Sequence, residues 1–235
     1  MGEICFVRHA QASFGKENYD RLSSLGVRQA EILADYLVKT GLHFQAFYSG
    51  SMERQIDTAK RVLSAIGDQN REPDLRIVPE LNEYDARLVI RSQVPDLIRE
   101  DPAVSEALAR MYTDSKSFQM VFERAVLRWI SGLNDVEGME TWKAFKERVH
   151  KGAKMIMEES VRKKRILVFS SGGAISTVMQ MALSLTDEET IRLSWQIKNT
   201  SMSVFKYSDK QFSLSSFNSL AHLDLLGDPA LLTYR

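Results

Sequence analysis

Four places in this 235-residue sequence carry residue types that could share one reaction: Arg8-His9, Arg54, Glu83 and Ser170-Ser171-Gly172-Gly173. Guanidinium groups match phosphate oxygens in a two-pronged fork. A neutral imidazole can attack phosphorus in line and carry the phosphoryl group covalently. A carboxylic acid whose pKa is raised toward neutrality can protonate the leaving oxygen. A glycine turn opening a helix adds N–H donors and a favourable dipole. The set suits a phosphoryl group and requires no separate metal site or cofactor. Each member also has a plainer reading. Arg54 could pair with Glu53 or Asp57, Glu83 could be a solvated loop acid, and the glycines could relieve crowding. Only the conjunction points to a phosphate site.

The conjunction rests on position, because each place follows a short strand. Ile4–Val7 is a continuous apolar run, as in a strand buried on both faces. Phe44–Tyr48 is a second strand, and Ser51 is placed to N-cap a helix running to about Ile66. Leu75–Val78 is a third, and Arg165–Phe169 a fourth, with a helix from about Ala174 to Leu183. Gly26–Lys39 and about Asp187–Trp195 also read as helices. Ser203–Tyr207 and Phe212–Ser216 close the chain as a hairpin around Asp209-Lys210. Strands alternating with helices predict a three-layer α/β/α sandwich with a mainly parallel sheet, and such sheets bind ligands beyond the carboxyl ends of their strands. Residues 85–137 break the alternation. They show helical patterns at Val104–Tyr112 and Met120–Leu133 and read as a helical insertion within one domain, 1–235. Thr141–Val161 is a long helix ending in the basic run Arg162–Arg165, which suits the negative end of its dipole.

Composition narrows the partners. Lys and Arg number 31, as do Asp and Glu, so the formal charge is zero. No general pull toward nucleic acid or an acidic membrane follows, and an anion must be held by a local cluster of cations. No apolar run approaches the ~20 residues of a membrane span, and the N-terminus lacks a signal-peptide pattern. The single cysteine, Cys5, lies in the first apolar run and reads as a buried, inert thiol. A lone cysteine fits a reducing compartment, so the expectation is a soluble, cytoplasmic protein.

Val7-Arg8-His9-Ala10-Gln11 resembles the Arg-His-Gly signature of the histidine phosphatase superfamily, the phosphoglycerate-mutase-like proteins. Leu22–Ala30, with Leu22-Ser23, Gly26 and Gln29-Ala30, is similar to its Leu-Thr-x-x-Gly-x-x-Gln-Ala segment. Ser49–Ala59 is similar to its Ser-x-x-x-Arg-x-x-x-Thr-Ala segment, and Leu81-Asn82-Glu83 to its Leu-x-Glu. Glu140-Thr141, Phe145 and Arg148-Val149, then Asn218 and His222-Leu223, continue the likeness in order to about residue 223. The resemblance implies that His9 is the nucleophile, that Arg8 and Arg54 grip the phosphoryl oxygens, and that Glu83 is the general acid and then the base. It implies a phosphomonoesterase acting on a phosphorylated small molecule or a phosphoprotein.

Two departures stand out. Ala10 replaces the usual glycine. Ser171 stands where the family carries a second histidine, with Gly172 after it. A serine hydroxyl can donate to the phosphoryl group but brings no charge. Charge-assisted bonds contribute about 1.5–3 kcal/mol, so a loss confined to the transition state costs roughly tenfold to a hundredfold. His43, His150 and His222 are not at the family position. The glycolytic mutase reading is weaker, because Tyr84-Asp85-Ala86-Arg87 follows Glu83 where those enzymes carry an Arg-His-Tyr-Gly-type segment. A phospho-ligand binding protein that kept the fold and lost turnover is the reading that Ser171 motivates.

Overall fold

The apolar run at Ile4–Val7 forms the centre of β1 (Gly2–Arg8), and these four residues are almost wholly buried. The computed structural model describes residues 1–13, 18–66, 74–111, 113–159 and 165–234. β1 is followed by α1 (Ser24–Lys39), β2 (Ala46–Ser49), α2 (Glu53–Ile66) and β3 (Leu75–Ile77). A 3-10 turn at Pro79–Leu81 comes next, then α3 (Ala86–Glu100), α4 (Pro102–Arg110), α5 (Ser115–Ile130) and α6 (Trp142–Glu159). β4 (Arg165–Ser170), α7 (Gly172–Leu183), α8 (Asp187–Ser194), β5 (Met202–Tyr207), β6 (Phe212–Ser219) and α9 (Ala221–Asp224) complete the order.

Among the described residues six strands form one sheet in the order β3-β2-β4-β1-β5-β6. The first four are parallel, while β5 and β6 are antiparallel additions. The register pairs Arg8 with Ser170 and Ser49 with Phe169, so β1, β4 and β2 end side by side. Successive side chains of a strand face opposite ways. Cys5 and Val7 therefore join Leu33, Ala34, Leu37, Ala59 and Val62 in a core beneath α1 and α2. Phe6 faces the other way, edge-on to Phe205, and α7 contacts β1 and β6. The result is the expected three-layer α/β sandwich, with its sheet mixed. Burial pushes the Cys5 thiol up to about 12, with the Glu3 carboxylate adding to the effect, so the thiol stays protonated.

The chain divides into two compact units, Met1–Glu83 with Arg148–Arg235, and Tyr84–Glu147. The second unit is helical. Asp85, Asp101 and Asp114 N-cap its helices α3, α4 and α5 through their carboxylates. Tyr84, Trp129, Trp142 and Phe145 form an aromatic cluster in it, with Tyr84 and Trp129 centroids 4.9 Å apart. Within the helical insertion the sequence pattern marks no separate boundary for α3. Pro95 interrupts it, and the buried stripe Val89, Gln93, Val94, Leu97 includes a glutamine, so the apolar periodicity is broken. α5 starts earlier than its pattern because Asp114 caps it, and chain turning at Gly132 (φ +67°) ends it before Leu133. Tyr112 and most of the basic run, Arg162–Lys164, lie outside the described residues. Among the described residues no helix is long and apolar enough to cross a membrane.

Candidate active site

The segment Arg8–Gln11 leaves β1 with every backbone polar group engaged. Arg8 N–H donates to Ser201 O, His9 N–H to Ser170 O, Ala10 N–H to Thr58 Oγ1 and Gln11 N–H to Gln29 Oε1. Arg8 O accepts from Thr200 N–H, His9 O from Asn199 Nδ2 and Gln11 O from Ser23 N–H. Ala10 O accepts from the His9 ring itself, at 2.8 Å from Nδ1. Buried backbone groups must be paired, and here the pairing fixes the loop from all sides.

That last bond sets the chemistry of His9. A carbonyl can only accept, so Nδ1 carries the proton. Arg54 Nε lies 3.1 Å from His9 Nε2, and a guanidinium can only donate, so Nε2 presents its lone pair. Burial, then the charges of Arg54 and Arg8, hold the His9 pKa well below the usual imidazole value. The ring is therefore neutral at neutral pH. Both His9 and Arg54 are only 5% exposed.

Arg54 stands in the first turn of α2, and its partner is neither Glu53 nor Asp57. Its Nη1 donates to Asp20 Oδ1 at 2.5 Å, while Asp20 Oδ2 accepts from Glu53 N–H at 2.7 Å. Asp20 therefore caps α2 from outside the helix. The Ser51 cap expected from the sequence is not formed, because the Ser51 hydroxyl accepts from Asn82 Nδ2 and Ser51 N–H donates back to Asn82 Oδ1.

Arg8 approaches from the other side. Its Nη1 donates to Ile197 O, and its Nη2 to Tyr234 O at 2.6 Å. The start of α7 lies against it: a Cβ on Gly172 would stand 3.8 Å from Arg8 Nε and 3.1 Å from Ser194 O. Glycine permits that close approach. The glycine turn opens α7 at Gly172 rather than Ala174, and Gly173 N–H donates to Glu83 Oε2 at 2.9 Å. Glu83 is set in place by its neighbours, since Arg148 Nη1 donates to Glu80 O and Asn82 O. Ser170 Oγ also donates to Leu81 O. Ser171 is fully buried and accepts from Gln55 Nε2 at 2.8 Å.

Direct bonds thus join His9 to Arg54 and Glu83 to Gly173, and Arg8 packs beside Gly172. The sequence reading had missed their supports. Gln29 and Gln55 show a faint signal, because each lies on the buried face of its helix one turn before Leu33 or Ala59. Asn199 and Thr233 have no such signal. Asn199 bonds His9 O, its N–H donates to Thr233 O, and its Oδ1 accepts from Thr233 Oγ1. Gln29 Nε2 donates to Leu231 O and Thr233 Oγ1. The C-terminal segment is thereby tied to the loop that carries His9. His222 is buried apart from the reacting groups, with Nε2 3.0 Å from Thr200 Oγ1. Among the described residues no group of three or more His, Cys, Asp or Glu is placed to hold a metal ion.

The molecule is an α/β protein that gathers a neutral histidine, two arginines and a glutamate beyond the ends of parallel strands. The chain belongs to the histidine phosphatase superfamily (branch 1), whose family profile matches residues 4–127 and 115–220. A phosphoglycerate mutase from Bacillus anthracis matches with a TM-score of 0.66 at 18% identity, covering 97% of each chain. Phosphoserine phosphatase from Entamoeba histolytica, in complex with 3-phosphoglyceric acid, gives 0.62 at 18% identity, covering 95% of this chain and 100% of that one. A mycobacterial glucosyl-3-phosphoglycerate phosphatase gives 0.62 at 16%, covering 93% and 99%. At these identities the likeness shows the fold. No curated protein matches the sequence.

Proposed function

We propose that this protein is a phosphomonoester hydrolase working through phosphohistidine at His9 without a metal ion. The observation that carries the reading is the His9 tautomer, with Nδ1–H on Ala10 O and the Nε2 lone pair facing a buried guanidinium. In the resting site Arg54 Nε–H covers that lone pair. An arriving phosphoryl oxygen offers the guanidinium a better acceptor, since its negative charge adds direct Coulomb attraction that a neutral imidazole lacks. Nε2 then attacks phosphorus in line, forming the N–P bond as the ester P–O bond breaks. Glu83, protonated at this stage, gives its proton to the leaving oxygen. As a carboxylate it then takes a proton from water, which attacks phosphorus and releases phosphate and neutral His9. Arg8 and Arg54 offset the phosphoryl charge throughout, and Ser171 and Gly172 border it at the start of α7. The substrate is a phosphorylated small molecule or a phosphoprotein.

Release of phosphate from an aryl phosphate, with and without chelator, tests this reading. Wild type is expected to turn over and His9→Ala is not. Glu83→Gln is expected to slow release by about 10²–10⁴-fold while acid-labile phosphate accumulates on His9. Equal release by wild type and His9→Ala would overturn the scheme. A second reading, a phospho-ligand binding protein with little turnover, draws on Ser171, whose hydroxyl is engaged by Gln55 and supplies no charge.

A further inference from the structure

Asp20 is an unexpected neighbour for an anion site. A carboxylate beside a phosphate-binding arginine repels the ligand that the arginine attracts. Its placement is nevertheless heavily determined. Asp20 bonds Arg54 Nη1 and the N–H of Glu53 with its two oxygens. The residues around it are fastened to the same helix start. Asn18 Nδ2 donates to Glu53 Oε2 at 3.0 Å, Arg21 Nε donates to Glu53 Oε1 at 3.0 Å, and the Tyr19 ring lies 5.6 Å from the Arg54 guanidinium carbon. Segment Asn18–Arg21 thus grips the first turn of α2 at several points, and Asp20 is the member that hydrogen-bonds the guanidinium.

We propose that Asp20 is a positioning residue for Arg54 and the counter-charge that keeps the site from holding phosphate too tightly. The proposal rests on the phosphate-site reading above. Arg54 has two jobs that pull apart. Its Nε edge must face His9 Nε2, and its charge must attract a dianion yet release the product. Asp20 serves both, because its bond to Nη1 fixes the rotation of the guanidinium plane and its charge offsets part of the attraction. An uncharged residue of the same shape, with one acceptor oxygen for two donors, would keep part of the first effect and none of the second.

The test compares wild type, Asp20→Asn and Asp20→Ala by calorimetric binding of inorganic phosphate and by aryl phosphate turnover. Asp20→Asn is expected to bind phosphate about tenfold more tightly, because the like charge is gone. Its kcat is expected to fall about tenfold, since an amide has one acceptor oxygen for the two donors Arg54 Nη1 and Glu53 N–H, and displacement of a binding group by even 1 Å can cost a hundredfold. Asp20→Ala, which loses both bonds, is expected to fall further in kcat, toward a hundredfold, while still binding phosphate more tightly than wild type. Tighter product and slower turnover together are a signature that loosening of the fold would not give, since that weakens both. Phosphate affinity equal to or weaker than wild type in a folded Asp20→Asn protein would overturn the proposal. Should Asp20→Ala fail to fold, Asp20→Asn decides alone. Failure of the parent reading looks different: phosphate release would survive in His9→Ala, whereas the affinity difference is read without turnover.

Discussion

The two arginines beside His9 are held in opposite ways. Arg54 is held by side chains: His9, Asp20 and the Tyr19 ring surround its guanidinium. Arg8 is held by main chain, through the carbonyls of Ile197 and Tyr234. A side-chain support can be changed one residue at a time, so the Arg54 flank is open to tuning by substitution. A carbonyl support survives almost any substitution and fails only when the chain itself moves or is lost. The Arg8 bonds to these two carbonyls are therefore insensitive to residue type and sensitive to backbone integrity.

The largest effect expected on this contrast is at Arg54 itself. Arg54→Ala removes the donor to His9 Nε2 and a grip on the phosphoryl oxygens, and kcat should fall about 10²–10³-fold. Arg54→Lys should restore little, since an ammonium cannot span His9 and Asp20 as the fork does. Full activity in the lysine variant would break the comparison.

Acid stability probes the Arg8 flank. Burial lowers the His222 pKa from 6.5 to about 4, and His222 bonds Thr200, whose N–H holds Arg8 O. As pH falls, the unfolded chain takes up this proton first. The contribution is fully present above pH 6.5 and is lost as pH falls toward 4, by about 1.4 kcal/mol per pH unit and roughly 3 kcal/mol in all. His9, lowered by burial and the two arginines, adds a loss of the same sign. Chemical denaturation between pH 7 and 4 measures the slope. His222→Gln should flatten it, and an unchanged slope would detach His222 from the effect.

Ser171 sharpens the contrast from a third position. It is fully buried and Gln55 fills the space beside it. Gln55 itself is confined, because a Cβ on Gly50 would stand 2.0 Å from its Oε1. Ser171→His should therefore lower kcat, by about tenfold, through overpacking. Ser171→His with Gln55→Ala should recover that loss, because the imidazole then has room. Faster turnover in the single variant would show that charge matters more than space here.

The smallest expected effect is at Thr233. Thr233→Ala removes two side-chain bonds, to Gln29 and Asn199, and should cost about 1–3 kcal/mol of stability with kcat changed less than about threefold. The Tyr234 carbonyl remains on Arg8 in that variant. Deleting 233–235 should lower kcat several-fold more, and equal effects of the two would remove the main-chain account of Arg8.

The sequence made the strand ends legible because two continuous apolar runs, Ile4–Val7 and Ile166–Phe169, stop abruptly at polar residues, and the site lies where they stop. The helix starts were less legible. Ser51 carries the residue type of a cap, yet the cap of α2 comes from Asp20, more than thirty positions earlier, and no local pattern marks such a bond. Gly172 was expected as a loop residue and opens α7 instead, because a missing side chain is compatible with either. The contacts of Arg8 were illegible for a deeper reason. Ile197 and Tyr234 contribute only carbonyls, and every residue has one.

Biosynthesis meets this arrangement in an awkward order. Arg8 and His9 leave the ribosome well before Asn199, Thr233 and Tyr234 do. The Arg8–Tyr234 bond spans 226 positions, and contacts of such separation form late and slowly. A nascent chain has Tyr19, Asp20 and Arg54 to hand long before the Arg8 flank has its carbonyls, although β1 and β2 share the sheet only once β4 lies between them. A protease cut between Leu232 and Tyr234 would take away one of the two carbonyls that hold Arg8. Such a clipped protein could keep its sheet and show a normal hydrodynamic size while its nucleophile loop had lost one wall.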